Sequence, residues 1–307
     1  AVSASASGHL PAGTIHDLGY KRYAGVRQST STRWLVIARN QVASAWKTWW
    51  RFKSVVGLAV IVTFVAAGVM FLLQDRAVKG VFLPNGVAAT LTDGALPRSI
   101  TWYCRAAFLL SLTISSSVIA RDIQSGAFTF YFARSVRPRD YVLGKLAGTF
   151  AVTAAIMLAG PLVLAIARLA LSESTDHLFT LLPIIPKAIA IGLLGTLAFA
   201  AVPLGFSALI GNARHAMALW AAYYLVVGGM MYLLSRVMKN GIGALDLAMA
   251  LEAITYDLFG MVQLSGRSKR IDPSMALASL LVHASAGIAL VAYKVRRAHL
   301  EGIGGSS

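Results

Sequence analysis

Residue types able to do chemistry are few in this chain, and most sit inside apolar runs. Ser207 in GFSALIG and His283 in HASAG place a hydroxyl and an imidazole on two different apolar segments, the pair that a serine nucleophile and its general base require. Within hydrogen-bond reach of each other they would make an intramembrane serine protease. Their expected depths differ, Ser207 near one end of its span and His283 in the opposite half, which favours small-residue packing for the first and a local polar contact for the second. Metal chemistry has no signature: HExxH is absent, and His9, His16, His177, His215, His283 and His299 lack ligand spacing. The single cysteine, Cys104, has no second thiol for an intrachain disulfide or a CxxC site. Nor is there a P-loop, because GKL at Gly144–Leu146 lacks the upstream glycine and the following hydroxyl residue, and LSGRS at Leu264–Ser268 resembles an ATPase signature only superficially. The chain is expected to carry no catalytic residue, metal or cofactor of its own.

A second group of candidates consists of ionisable and aromatic residues at membrane depth. Arg105 and Arg168 fall in or near the far halves of their runs, where a charge is costly and marks a pathway by default. They can meet an anionic lipid or glycolipid headgroup, snorkel to the interface, or pair with Glu173 or Asp176. His283 is a pathway residue or a packing residue, and Tyr223, Tyr224, Tyr232, Met230 and Met231 line an apolar cavity or fill core.

The elements holding these residues follow from composition. A chain of 307 residues with 57% hydrophobic and 13% charged residues and a mean hydropathy of +0.68 is too apolar for a soluble domain. Its net charge of +16 would suit nucleic acid or anionic lipid; the bases cluster beside apolar runs, which points to membrane lipid and not to nucleic acid. A spanning helix needs about 20 apolar residues, and six windows qualify: Val55–Leu73, Ile100–Ala120, Val142–Leu171, Ile184–Ile210, Ala216–Ser235 and Met275–Tyr293. Pro161 and Pro203 are expected kinks. An even number of spans puts both termini on one side, and the basic flanks, from Lys21 to Lys53, Arg121 to Lys145, Arg214 and Lys294 to Arg297, make that side cytoplasmic. The other side keeps Arg76, Lys79, Arg98, Arg236, Lys239 and GRSKR at 266–270.

The expected architecture is all-α. Residues 1–32 form a cytoplasmic tail without the apolar core of a secretion signal. Residues 33–53 form a basic amphipathic helix in the interface plane, with Trp34, Ala38, Val42, Ala45, Trp46 and Trp49 on its apolar side. Residues 54–294 hold the six spans, with an outer membrane-dipping segment at 237–273, and residues 295–307 form a second cytoplasmic tail. Small residues at Gly144 and Gly148, and at Ala188, Gly192, Thr196 and Ala200, suit close helix packing.

Between the second and third spans, residues 121–140 are too long and too patterned for a simple hairpin. Gly126 ends one helix, Ala127–Arg134 supplies two turns parallel to the membrane, and Pro138 stops continuation. Phe128, Phe130, Tyr131 and Phe132 are then apolar knobs ringed by Arg121, Arg134, Arg137 and Arg139. They either anchor the helix among headgroups or dock a soluble partner.

This turn resembles that of type-2 ABC exporter permeases. Asp122, Gly126, Phe128–Arg134, Pro138–Arg139, Tyr141 and Leu143–Lys145 carry the likeness. An aspartate stands where that family commonly has glutamate, and the arginine follows the proline directly. Six spans, the amphipathic helix before them and the long outer connection extend the likeness over Arg33 to Arg297. The tail HDLGYKRYAGVR, His16–Arg27, is similar to tails of bacterial members. The resemblance implies a permease subunit in a bacterial cytoplasmic membrane that pairs with a second copy or a homologous permease and exports a hydrophobic or amphipathic substrate. It implies ATP and magnesium on a separate ATPase subunit, with Phe128, Phe130, Tyr131 and Phe132 as the grip and Arg134, Arg137 and Arg139 as its rim. Asp122 would fix the turn by pairing with a base or capping a helix. A membrane scaffold without a pathway is the alternative to transport.

Overall fold

The computed structural model of the chain describes residues 30–74, 87–133, 136–238, 241–261 and 271–304. The protein is an all-α, multi-pass membrane protein. Among the described residues there is no strand, and six helical runs are long and apolar enough to cross a membrane: Ser54–Leu72, Thr90–Gln124, Pro138–Ala170, Thr175–Leu209, Ala213–Ser235 and Pro273–Glu301. The second and fourth spans are mostly buried and form the centre, while the first and fifth are mostly exposed on its outside. The tail His16–Arg27 and the basic run 266–270 lie outside the described residues.

Glycines bring the helices together, because lipid supplies no hydrophobic drive for their association and only close packing rewards it. The amphipathic helix, Arg33–Lys47, lies on the start of the third span. A Cβ on Gly144 would stand 2.6 Å from that of Ile37, and one on Gly148 would stand 2.6 Å from that of Gln41. The expected GxxxG pair is therefore the seat of the elbow helix. Its inward face is Ile37, Ala38, Gln41 and Ala45, with Trp34 and Trp46 left exposed. At the centre, Gly205 of the fourth span meets Gly287 of the sixth, and a Cβ on Gly205 would reach within 2.7 Å of the Gly287 Cα. Gly192 admits Leu158 of the third span to 2.8 Å in the same sense.

Several span boundaries differ from expectation: the fourth span begins at Thr175 and not at Ile184, and the sixth runs on to Glu301. The second span begins at Thr90 and not at Ile100. Asp93, Pro97 and Arg98 interrupt its hydropathy, yet Pro97 falls in the first turn of the helix Ala95–Thr113, where a missing N–H breaks no bond. The third span is two helices, Pro138–Met157 and Ala159–Ala170, and the expected kink falls where Pro161 would clash with the Met157 carbonyl four residues back. Pro203, in contrast, lies inside a helix continuous from Ile184 to Leu209.

The second span is also broken, at the short 3-10 turn Ser115–Ser117, before the helix Val118–Gln124 resumes. Amides at such a restart must find acceptors, since lipid offers none. Ser207 of the fourth span provides one: its Oγ accepts from the Ile119 and Ala120 N–H groups, both at 3.0 Å.

On the far side, the expected dipping segment contains a 3-10 turn at Gly241–Leu245 and a helix at Leu247–Leu258. Asp246 caps that helix by accepting from Ala248 N at 2.8 Å and Met249 N at 3.3 Å. Gly260, at φ 64°, ends it. The helix buries Leu247, Ala250, Leu251 and Thr255 against the second, fourth and sixth spans.

Gly144→Leu is expected to lift the elbow helix from the third span. Overpacking of this kind costs about 1–3 kcal/mol, and it is read as earlier thermal unfolding in detergent with faster proteolysis within Arg33–Lys47. Gly68→Leu, on a glycine with nothing within 4 Å, should leave both unchanged.

Candidate functional site

At the end of the bundle that carries the elbow helix, one carboxylate ties the second span to the third. Asp122 sits in the last turn of the helix Val118–Gln124, and its Oδ2 accepts from the Tyr141 hydroxyl at 2.6 Å and from Lys145 Nζ at 2.7 Å. Both charges are largely withdrawn from solvent, with Lys145 side-chain exposure at 9% and Asp122 at 17%. Lys145 also lies 5.5 Å from the centre of the Tyr141 ring. Each partner satisfies the other in a setting where an unpaired charge would be costly. Asp122 thus pairs with a base, one of the two roles expected for it.

From this knot the chain turns at Gly126, whose φ of 67° suits glycine, and enters the helix Ala127–Ala133. Its aromatics do not all point away from the bundle. Phe128 is buried, and Phe128 and Tyr131 each meet Tyr141 edge-on at 5.3 Å. Phe132 packs on Phe128 at 5.6 Å and on His299 of the sixth span at 5.1 Å. Phe130 alone of the four is fully presented, at 73% exposure. Three of the four expected knobs are therefore clamps that hold the turn helix to the bundle. The physical reason is Tyr141, a large buried ring that the neighbouring aromatics must cover. Burial and the nearby Asp122 charge push the Tyr131 hydroxyl pKa up.

The basic rim is divided. Arg137 precedes the third span, where Pro138 takes the first helical position, and its N–H donates to Asp140 Oδ2 at 3.4 Å. Arg139 is exposed, with its Nε 4.0 Å from Asp140. Arg121 lines a polar cavity of about 190 Å³ between the turn and the elbow helix, together with Asn40, Gln41, Ser44, Asp122 and Lys145. Arg134 lies outside the described residues.

The pathway candidates fall in three places. Arg168 is buried and pairs with Asp93, through Nη2 at 2.8 Å and Nε at 3.1 Å. This corrects the expected pairing with Glu173 or Asp176: the early start of the second span brings Asp93 to the arginine. Arg105 lies 4.4 Å from the Trp102 ring and lines a cavity of about 370 Å³ with Tyr224, Asp246 and Glu252. Tyr224 is stacked on Phe108 at 4.1 Å. Tyr223 donates to the Leu245 carbonyl at 3.3 Å and lies 6.0 Å from the His283 ring. A π-helical turn at Tyr223–Val227 widens the fifth span here, a local irregularity often found at functional sites.

Ser207 and His283 do not form a dyad. Ser207 is buried on the restart of the second span, while His283 Nδ1 lies 2.7 Å from the Ser279 carbonyl. The fourth and sixth spans run parallel, with Gly205 level with Gly287 and Leu204 and Ala208 packed with Val291 and Val295. That register separates the serine and histidine by about 9 Å along the axes.

A scan against protein-family models finds no match for this chain, and a search of curated proteins finds none either. Among the described residues no three histidines, cysteines or carboxylates gather as a metal site.

Sequence reasoning missed Asp93 and Glu252 as site residues. Glu252 is only 4% exposed inside the helix Leu247–Leu258, and its placement in an apolar helical stretch was the available signal. The Asp122–Lys145 pair predicts non-additivity. Asp122→Asn and Lys145→Met should each destabilise by about 3–5 kcal/mol, and the double variant by much less than their sum, measured by unfolding in detergent.

Proposed function

We propose that this chain is the membrane-spanning subunit of an ATP-driven type-2 ABC exporter in a bacterial cytoplasmic membrane. The observation that carries the reading is the two-turn helix Ala127–Ala133, held to two spans by its own aromatics while Phe130 projects free. A helix that transmits force needs a rigid attachment on one side and an anchor for a partner on the other. The Asp122, Tyr141 and Lys145 knot supplies the first, and an exposed aromatic beside arginines suits the second. The excess of bases at this end, including Arg39, Lys47, Arg121, Arg139, Arg214 and Arg296, supports a cytoplasmic placement.

In this reading a separate ATPase subunit, which holds ATP and magnesium, grips the turn helix. Closure of the ATPase pair shifts the second and third spans together, because the knot joins them, and two copies of the chain or two homologous permeases move between inward and outward states. An amphipathic substrate suits the cavity of Arg105, Tyr224, Asp246 and Glu252, which combines both charge signs with aromatic walls.

Co-purification from the native membrane is the test. Wild-type chain should carry a soluble ATPase, and Phe130→Asp should lower its recovery at least tenfold while thermal unfolding stays unchanged. Phe132 is a poor probe, because its ring packs on Tyr141 and His299. A folded wild-type chain that brings down no ATPase would sink the exporter reading in favour of a membrane scaffold.

A further inference from the structure

A groove of about 750 Å³ lies between the start of the third span and the last turns of the sixth, at the end that carries the turn helix. Its rim is Arg137, Arg139, Arg296 and His299, and its floor includes Val142, Leu143 and Ala292. Among the described residues no carboxylate lines it. The nearest acids are already engaged: Asp140 faces Arg139 and the Arg137 amide, and Glu301 holds Arg297 at 2.6 Å.

The order of residues along each helix is the telling feature. Arg139 and Leu143 are one turn apart on the same face of the third span, and Arg296 and Ala292 are one turn apart on the same face of the sixth. In both helices the base lies nearer the bundle's end and the apolar residue one turn deeper. Leu143 is 51% exposed and Arg139 has 70% of its side chain free, so the groove opens outward from the bundle. Two arginines lining one apolar trough, one from each helix, match a phosphate headgroup above its acyl chains. Basic pockets between spans bind anionic headgroups in this manner, and the volume falls in the range of small-molecule sites, about 300–1,000 Å³.

We propose that this groove holds an anionic phospholipid from the adjacent leaflet, with Arg139 and Arg296 on its phosphate and Leu143 and Ala292 against its chains. The site is separate from the exposed Phe130 and does not depend on the exporter reading. Occupied, it would clamp the start of the third span to the end of the sixth, next to the contact between Phe132 and His299.

The test titrates the purified full chain in mild detergent with phosphatidylglycerol and with phosphatidylcholine, counting bound lipid by native mass spectrometry. Phosphatidylglycerol should bind in preference, and Arg139→Gln with Arg296→Gln should weaken it roughly 30-fold and phosphatidylcholine, whose phosphate charge is offset by choline, much less. Leu143→Trp, which keeps the charge and fills the trough, should weaken binding of both lipids. Arg39→Gln with Arg214→Gln, an equal loss of charge at exposed positions, should change nothing. Equal weakening by that control, no preference between the lipids, or competition by glycerol phosphate as strong as by the lipid would overturn the proposal. So would a groove variant that keeps its lipid but loses a soluble partner, since the arginines would then belong to a protein interface. Unfolding midpoints of all variants separate loss of fold from loss of site.

Discussion

A carboxylate at the edge of a membrane must be paired, and the pairing of Asp122 organises the end of the bundle to which the proposed partner attaches. Its two donors, Tyr141 and Lys145, lie one turn apart on the third span, so a single acid at the end of the second span sets how the two helices meet. The buried Tyr141 ring then needs covering, and Phe128, Tyr131 and Phe132 cover it. The turn helix therefore inherits its orientation from an ion pair it does not contain. Phe130 is left outward because helical geometry places it on the face opposite those clamps.

The rest of the bundle answers the same demand for satisfaction with backbone and hydroxyl groups. A break inside the second span would strand amides in lipid, and Ser207 takes two of them. Thr63 and Tyr103 hydrogen-bond at 2.7 Å across the first and second spans, and the Trp220 indole donates to Ser111 at 3.0 Å across the fifth and second. Such bonds are modest individually, but they fix rotation where glycine contacts fix only distance. Gly205 against Gly287 and Gly144 against Ile37 bring backbones together.

Among the described residues, two groups of charges stand out in the far half of the bundle. Asp93 meets Arg168 where the second span starts and the third ends, and Asp246 and Glu252 line one cavity with Arg105. A cavity with both signs of charge and a tyrosine stacked on Phe108 can orient an amphipathic molecule without requiring a full net charge on it. The π-helical turn at Tyr223–Val227 shifts the register of the fifth span there, placing Tyr224 at the cavity and Tyr223 near His283.

From the sequence alone came the all-α class, the six spans, the elbow helix, Gly126 as the end of one helix and Pro138 as a stop after the turn helix, though not as the first residue of the third span. These depend on local hydropathy, periodicity and backbone stereochemistry, which each segment carries within itself. The use of Gly144 and Gly148 for close packing was legible in the same way, although not which helix they would receive. Only the tertiary structure decided that Phe128, Tyr131 and Phe132 turn inward while Phe130 does not, that Arg168 takes Asp93, and that Ser207 serves backbone amides. Each of those outcomes depends on a residue from another span, since burial removes water as the default partner of every polar group and leaves the choice to whichever side chain packing brings within reach.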